Sequence, residues 1–87
     1  MKVYQTKNFK KHYKVRVSEQ DKKTIETVIE KFLKKEPLES KFKDHNLSGN
    51  MNGFRECHIK NDFLLVYQIS NSDLILIDIG THSQLFK

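Results

Sequence analysis

Three stretches rich in β-formers follow one another across gaps of turn length, and this spacing constrains the fold more than any other feature of the chain. Residues 53–59 alternate in polarity, 63–69 read Phe-Leu-Leu-Val-Tyr-Gln-Ile, and 74–79 read Leu-Ile-Leu-Ile-Asp-Ile. Lys60-Asn61-Asp62 and Asn71-Ser72-Asp73 separate them, and both are made of turn-favouring residues. Parallel neighbours need a crossover of about a dozen residues, so these strands must form an antiparallel meander. Alternation puts Phe54, Glu56 and His58 on one face of the first strand, with Arg55, Cys57 and Ile59 on the other. Ile75, Ile77 and Ile79 share a face, which is expected to pack on helices together with Cys57 and Ile59.

Those helices come from the first half. Lys2-Val3-Tyr4-Gln5 reads as a short first strand. Thr6 or Asn8 caps a helix over roughly 7–15, with Phe9 and Tyr13 four apart on one face. Ser18 is a good N-cap for a second helix, with Asp21 three residues on as in a capping box. Ile25, Val28, Ile29, Phe32 and Leu33 then trace one buried stripe. Lys31, Lys34 and Lys35 suit the end of the helix dipole, and Pro37 is expected to stop the helix near Glu36. Residues 38–52 read as a loop. The expected fold class is α+β: a two-layer sandwich with a short N-terminal strand, a two-helix hairpin, then a three-stranded antiparallel meander. Residues 1–87 form a single domain.

Charge is unevenly spread over this plan. The chain carries 16 basic and 11 acidic residues, a net +5, and its pI is near 9.4. Residues 1–43 hold 13 basic and 6 acidic side chains, whereas 44–87 hold 3 and 5. A basic half suggests an anionic partner, nucleic acid being the commonest, although a Lys-rich face can also be merely solvated. The longest apolar run, residues 63–67, is far short of a bilayer span of roughly 20 residues. Lysines interrupt the N-terminus, so no secretory signal is expected. A lone Cys57 excludes an internal disulfide framework, and a cytoplasmic protein is the default.

The residues able to do chemistry are few. Three of the four histidines lie in the second half: His45 in the loop, His58 in a strand and His82 after the last strand. A lone loop His is usually solvated, and His12 is read as solvated too. His45, His58 and His82, with Glu56 and Asp62, could nevertheless converge on the sheet face away from the helices. Cys57 and His58 are adjacent in a strand and point to opposite faces, which disfavours both a shared metal and a Cys–His nucleophile pair. No nucleotide-binding glycine fingerprint, Cys-x-x-Cys or His-x-x-x-His occurs. General acid–base chemistry remains, since imidazole titrates at about 6.5. RNA supplies its own 2′-hydroxyl nucleophile, so its cleavage needs a base, an acid and positive charge, with no metal or cofactor. Arg55 could supply the charge, although alternation sets it out of phase with His58.

Four blocks then stand in order: Lys43-Asp44-His45-Asn46-Leu47-Ser48-Gly49, Gly53-Phe54-Arg55-Glu56-Cys57-His58-Ile59, Asp62-Phe63-Leu64-Leu65-Val66-Tyr67, and Gly80-Thr81-His82-Ser83-Gln84-Leu85-Phe86. Together they resemble the YafQ branch of the RelE-like toxins; the first half is similar only in its Lys-rich helical style. The resemblance implies a RelE-like fold and a bacterial type II toxin, an endoribonuclease that cuts mRNA in the ribosomal A site and is neutralised by an antitoxin. It also implies indirect DNA contact through that antitoxin. The family's functional positions correspond to His45, His58, Asp62, His82 and Phe86, with Glu56 where some relatives carry Asp. Asp78 stands where several relatives carry Arg.

The resulting expectation is that His45 and His82 form the acid–base pair, in either order. His58 and Asp62 position the phosphate and tune the rings, Glu56 orients a neighbouring His, and Arg55 offsets charge. Phe86 stacks on an mRNA base, Lys43 and Lys60 contact substrate, and lysines of the helical half grip the 16S rRNA backbone. No metal, cofactor or membrane is expected. The alternatives are a non-catalytic module that binds RNA or antitoxin on the same fold, and a zinc-dependent hydrolase.

Overall fold

The stripe of the second helix settles how the two layers meet. The computed structural model describes residues 1–86, and Lys87, the end of the expected 1–87 span, lies outside the described residues. Elements run β1 (Val3–Gln5), α1 (Lys7–Arg16), α2 (Glu19–Leu33), a 3-10 turn (Ser40–Phe42), β2 (His45–Asn46), a second 3-10 turn (Gly49–Met51), β3 (Arg55–Lys60), β4 (Phe63–Ser70), β5 (Asp73–Gly80) and α3 (His82–Leu85). Ile25, Val28 and Phe32 of α2 are buried against the sheet, while Leu33 is left exposed at the helix end.

Caps explain the helix bounds. The Thr6 hydroxyl accepts from the Phe9 N–H, so Thr6 rather than Asn8 starts α1; Ser18 accepts from the Asp21 N–H at the start of α2. The second helix ends at Leu33, earlier than the expected stop near Glu36. Lys35 takes a left-handed φ of 58°, its N–H bonds the Phe32 carbonyl, and the Glu36 N–H bonds that of Lys31. This is a Schellman closure, which needs two residues beyond the cap, so a proline at 37 sets the stop further back than residue 36.

Strand order in the single five-stranded sheet is β1-β5-β4-β3-β2. The expected α+β meander β3-β4-β5 is antiparallel, β1 joins β5 in parallel, and two-residue β2 extends the far edge from within the expected loop. Asn71 and Ser72 both have positive φ (52° and 66°), as a tight two-residue hairpin between Ser70 and Asp73 requires.

Cys57, Ile59, Phe63, Leu65, Tyr67, Leu74, Leu76 and Ile79 face the helices and pack with Phe9, Ile25, Val28 and Phe32. Of the three isoleucines expected there, only Ile79 belongs to the core. Pairing runs Val66 to Asp78 but Tyr67 to Leu76, so Ile77 is an extra residue on β5. That bulge shifts the alternation by one, giving the core face Leu74 and Leu76 before it and Ile79 after it. Ile75 and Ile77 are excluded from the core as a result. Among the described residues no helix is long and apolar enough to cross a membrane.

Candidate active site

The sheet face opposite α2 carries a row of rings. Ring centroids of His45 and His58 are 6.3 Å apart, those of His58 and His82 6.0 Å, and those of His82 and Phe86 6.1 Å. Each imidazole comes from a different element. Register places His45 of β2 opposite Glu56 of β3, two residues from His58 on the same face. His82 opens α3 directly after β5. Thr81 caps that short helix, and Gln84 bonds back to the Thr81 N–H in a capping box. The sequence signal for α3 is the pair Thr81 and Gln84, the Thr-x-x-Gln of a capping box. The junction at Gly80 is close-packed: a Cβ there would lie 2.7 Å from Arg16 Nη1 and Gln84 Oε1, so the tips of both side chains would have to shift.

All three rings commit the same nitrogen. His45 Nδ1 lies 2.6 Å from the Lys43 carbonyl, His58 Nδ1 3.2 Å from the Asn61 carbonyl, and His82 Nδ1 2.7 Å from Asp62 Oδ1. These partners are acceptors only, so each Nδ1 donates and each neutral ring presents Nε2 as its basic nitrogen. Glu56 is only 4% exposed, and its Oε1 lies 3.3 Å from His45 Nε2 and 3.8 Å from His58 Nε2. A carboxylate can only accept, so Glu56 pairs with either ring only when that ring's Nε2 carries a proton. Asp62 also accepts from the His82 backbone N–H, and the two contacts hold its carboxyl below the usual range, the backbone bond contributing most. The expected His45, Glu56, His58, Asp62, His82 and Phe86 are brought together.

Arg55 is not. It lies on the other side of the sheet, where Nε bonds the Tyr67 hydroxyl at 3.1 Å, Nη1 the Asn46 amide oxygen at 2.5 Å, and Nη2 pairs with Asp44 at 3.1 Å. The Tyr67 hydroxyl donates to Asp44 as well. Arg55 therefore grips the residues on either side of His45, and its charge is spent there rather than among the rings. The hydrogen bond it donates to Tyr67 raises its own pKa, and burial together with the bond to Asp44 raises that of Tyr67. Lys60 is likewise engaged, its Nζ 2.9 Å from buried Asp21. Lys41 and Lys43 line a cleft of about 270 Å³ beside His58. Cys57 is fully buried, and burial pushes its thiol up to about 12, which suits packing and not nucleophilic chemistry.

His12, expected to be solvated, instead pairs through Nδ1 with Asp78 Oδ1 at 2.6 Å, both side chains being largely covered. The Lys content of the two helices also divides. Lys22 and Lys34 of the α2 region pair with Glu19 and Glu30. Lys7, Lys10, Lys11 and Lys14 of α1 are exposed, in a helix without acidic residues.

Comparison with known proteins gives the chain its relatives. A family model described as bacterial toxin of type II toxin–antitoxin system, YafQ, matches residues 1–87. The chain is 38% identical over 50 residues to the mRNA interferase toxin YafQ of Escherichia coli K12, covering 58% of this chain; it spans 54% of that relative. A copper-bound mutant toxin from Helicobacter pylori is 42% identical, covers 99% of each chain and superposes with a TM-score of 0.90. In the E. coli DinJ–YafQ complex the matching chain is 26% identical, with 98% of this chain and 97% of that one covered and a TM-score of 0.77. Among the described residues, no group of three His, Cys, Asp or Glu is arranged to hold a metal ion.

Proposed function

The chain belongs to the YafQ family of bacterial type II toxins, and from that membership we propose that it is an endoribonuclease that cuts mRNA, with the ribosomal A site as its place of action. The observation that carries the reading is the row of three imidazoles, each held at Nδ1 and offering Nε2. In-line displacement at phosphorus puts the entering 2′-oxygen and the departing 5′-oxygen on opposite sides. His58 stands between His45 and His82, so a phosphate seated over His58 has one ring on either side. One of the outer rings takes the 2′-hydroxyl proton as the P–O2′ bond forms. The other, protonated, gives its proton to O5′ as the P–O5′ bond breaks. The products are a 2′,3′-cyclic phosphate and a 5′-hydroxyl end.

Negative charge on the phosphorane is met by imidazolium and by Lys43 and Lys41 in the cleft at His58, with Arg55 holding His45 from behind. Glu56 orients His45 and His58, and Asp62 orients His82. Phe86, at the end of the row, offers a face for base stacking. The exposed lysines of α1 contact ribosomal RNA phosphates, and a cognate antitoxin covers the toxin, as DinJ accompanies YafQ in the E. coli complex. Localisation in the cytoplasm follows from a ribosomal target.

The test is primer extension on a translated message with the intact protein and with His45→Ala, His58→Ala and His82→Ala. Defined breaks with the first and their loss in the variants, unaffected by chelator, support the reading. Full cleavage by all three folded variants, or binding of ribosomes without breaks, sinks it in favour of a non-catalytic module. Loss in chelator and recovery with zinc would favour the hydrolase instead.

A further inference from the structure

We propose that Asp78, held in place by His12, reads the nucleobase next to the scissile phosphate by accepting a hydrogen bond from its exocyclic amino group. The inference rests on the RNA-cleaving reading above and adds to it a residue that selects the substrate.

Asp78 lines a cleft of about 200 Å³ whose walls include Val66, Ile77, Leu85 and Phe86. Phe86 joins this cleft to the imidazole row, its ring centroid lying 6.1 Å from that of His82. Regular alternation would send Ile77 and Asp78 to opposite faces. The β5 bulge between the Val66 and Tyr67 pairings instead aims both into the same space. The carboxylate is fixed on one side only. Oδ1 takes His12 Nδ1 at 2.6 Å and the Ile79 N–H at 2.8 Å, while Oδ2 has no partner among the described residues.

A carboxylate inside an RNA-binding face calls for a reason, because it repels phosphate and can only accept hydrogen bonds. The part of a strand that suits this cleft is flat, largely apolar and carries N–H donors, which describes a base and excludes the backbone. Adenine, cytosine and guanine present an exocyclic amino group; uracil offers only N3–H, flanked by two carbonyl oxygens that repel a carboxylate. Asp78 therefore discriminates against uracil at one position beside the cut.

The experiment sequences the 5′ ends released from a pool of translated messages randomised around the cut, with the wild type, Asp78→Asn and His12→Ala. The wild type should deplete uracil at one fixed position on the order of 10-fold, the worth of one hydrogen bond to a charged group. Asparagine can donate to a uracil carbonyl, so Asp78→Asn should raise the uracil share there several-fold and leave other positions alone. His12→Ala, which frees the carboxylate without removing it, should move the share in the same direction. It decides the matter by itself should Asp78→Asn fail to fold. Cuts with an unchanged uracil share overturn the inference and leave the RNA-cleaving reading standing. An unchanged share with weakened antitoxin binding overturns it too, and gives the cleft to a protein side chain. A wild type that makes no cuts overturns both readings.

Discussion

Asp62 Oδ1 accepts two hydrogen bonds from His82, one from the backbone N–H at 3.0 Å and one from Nδ1 at 2.7 Å. The pair fixes both where the ring stands and which of its nitrogens is basic. Asp62→Asn removes the charge and lets the amide turn either way, so cleavage should fall by about 100-fold in kcat with little change in KM. The pH dependence has a definite sign. The backbone N–H and then the ring hold the Asp62 pKa below its ordinary 3.8. A carboxyl depressed in the folded state contributes stability that is complete above the unfolded value and is lost as pH falls through the folded value. Melting temperatures of the wild type and Asp62→Asn should therefore differ at neutral pH and converge below pH 3.8.

Glu56 gives a second prediction. One oxygen, Oε1, lies within 3.3 Å of His45 Nε2 and 3.8 Å of His58 Nε2, so a single substitution disturbs two rings at once. Glu56→Ala should cost about 100-fold in kcat, on the scale of misplacing reacting groups by an ångström. A His45→Ala, Glu56→Ala double variant should fall well short of the product of the two single losses, because part of the Glu56 effect already runs through His45. Single-turnover cleavage of a ribosome-bound message measures this; independent, multiplying losses would show that Glu56 does not act through His45.

Arg55 gives a third. Its guanidinium reaches Asp44, Asn46 and Tyr67 together, and a lysine ammonium cannot match that fork. Arg55→Lys should lower kcat, because β2 loosens, while KM for the ribosome complex stays near the wild-type value. Tyr67→Phe deletes the hydroxyl between Asp44 and Arg55 and should cost about 1–3 kcal/mol in denaturant unfolding. A loss of binding without a loss of kcat in Arg55→Lys would mean that Arg55 meets the substrate directly.

How much of this was legible depends on how local each signal is. The α2 stripe and the meander were readable because helical period and turn spacing are properties of neighbouring residues. The shared face of Glu56 and His58 followed from strand alternation, and so did the exclusion of Arg55 from it. Ile75 and Ile77 were assigned to the wrong face because a bulge inserts one residue without any mark in the sequence. His12 was missed because its partner Asp78 lies 66 residues away, a distance that only the fold closes. The short α3 was written in Thr81 and Gln84, but a four-residue helix has too few turns to show a period.

The lysines of α1 give the last prediction. Lys7, Lys10, Lys11 and Lys14 are exposed on a helix with no acidic residue, whereas Lys22 and Lys34 are balanced by Glu19 and Glu30. Phosphate neutralisation releases counterions, so the logarithm of the binding constant falls with that of salt by about 0.9 per contact on duplex nucleic acid. Replacing the four α1 lysines by glutamine should weaken ribosome binding and flatten that slope by about 3.6 units if each meets a phosphate. Replacing Lys22 and Lys34 should change the slope far less, since each already has a carboxylate beside it. Titrations at several salt concentrations decide the point, and equal effects from the two sets would move the RNA-facing surface off α1.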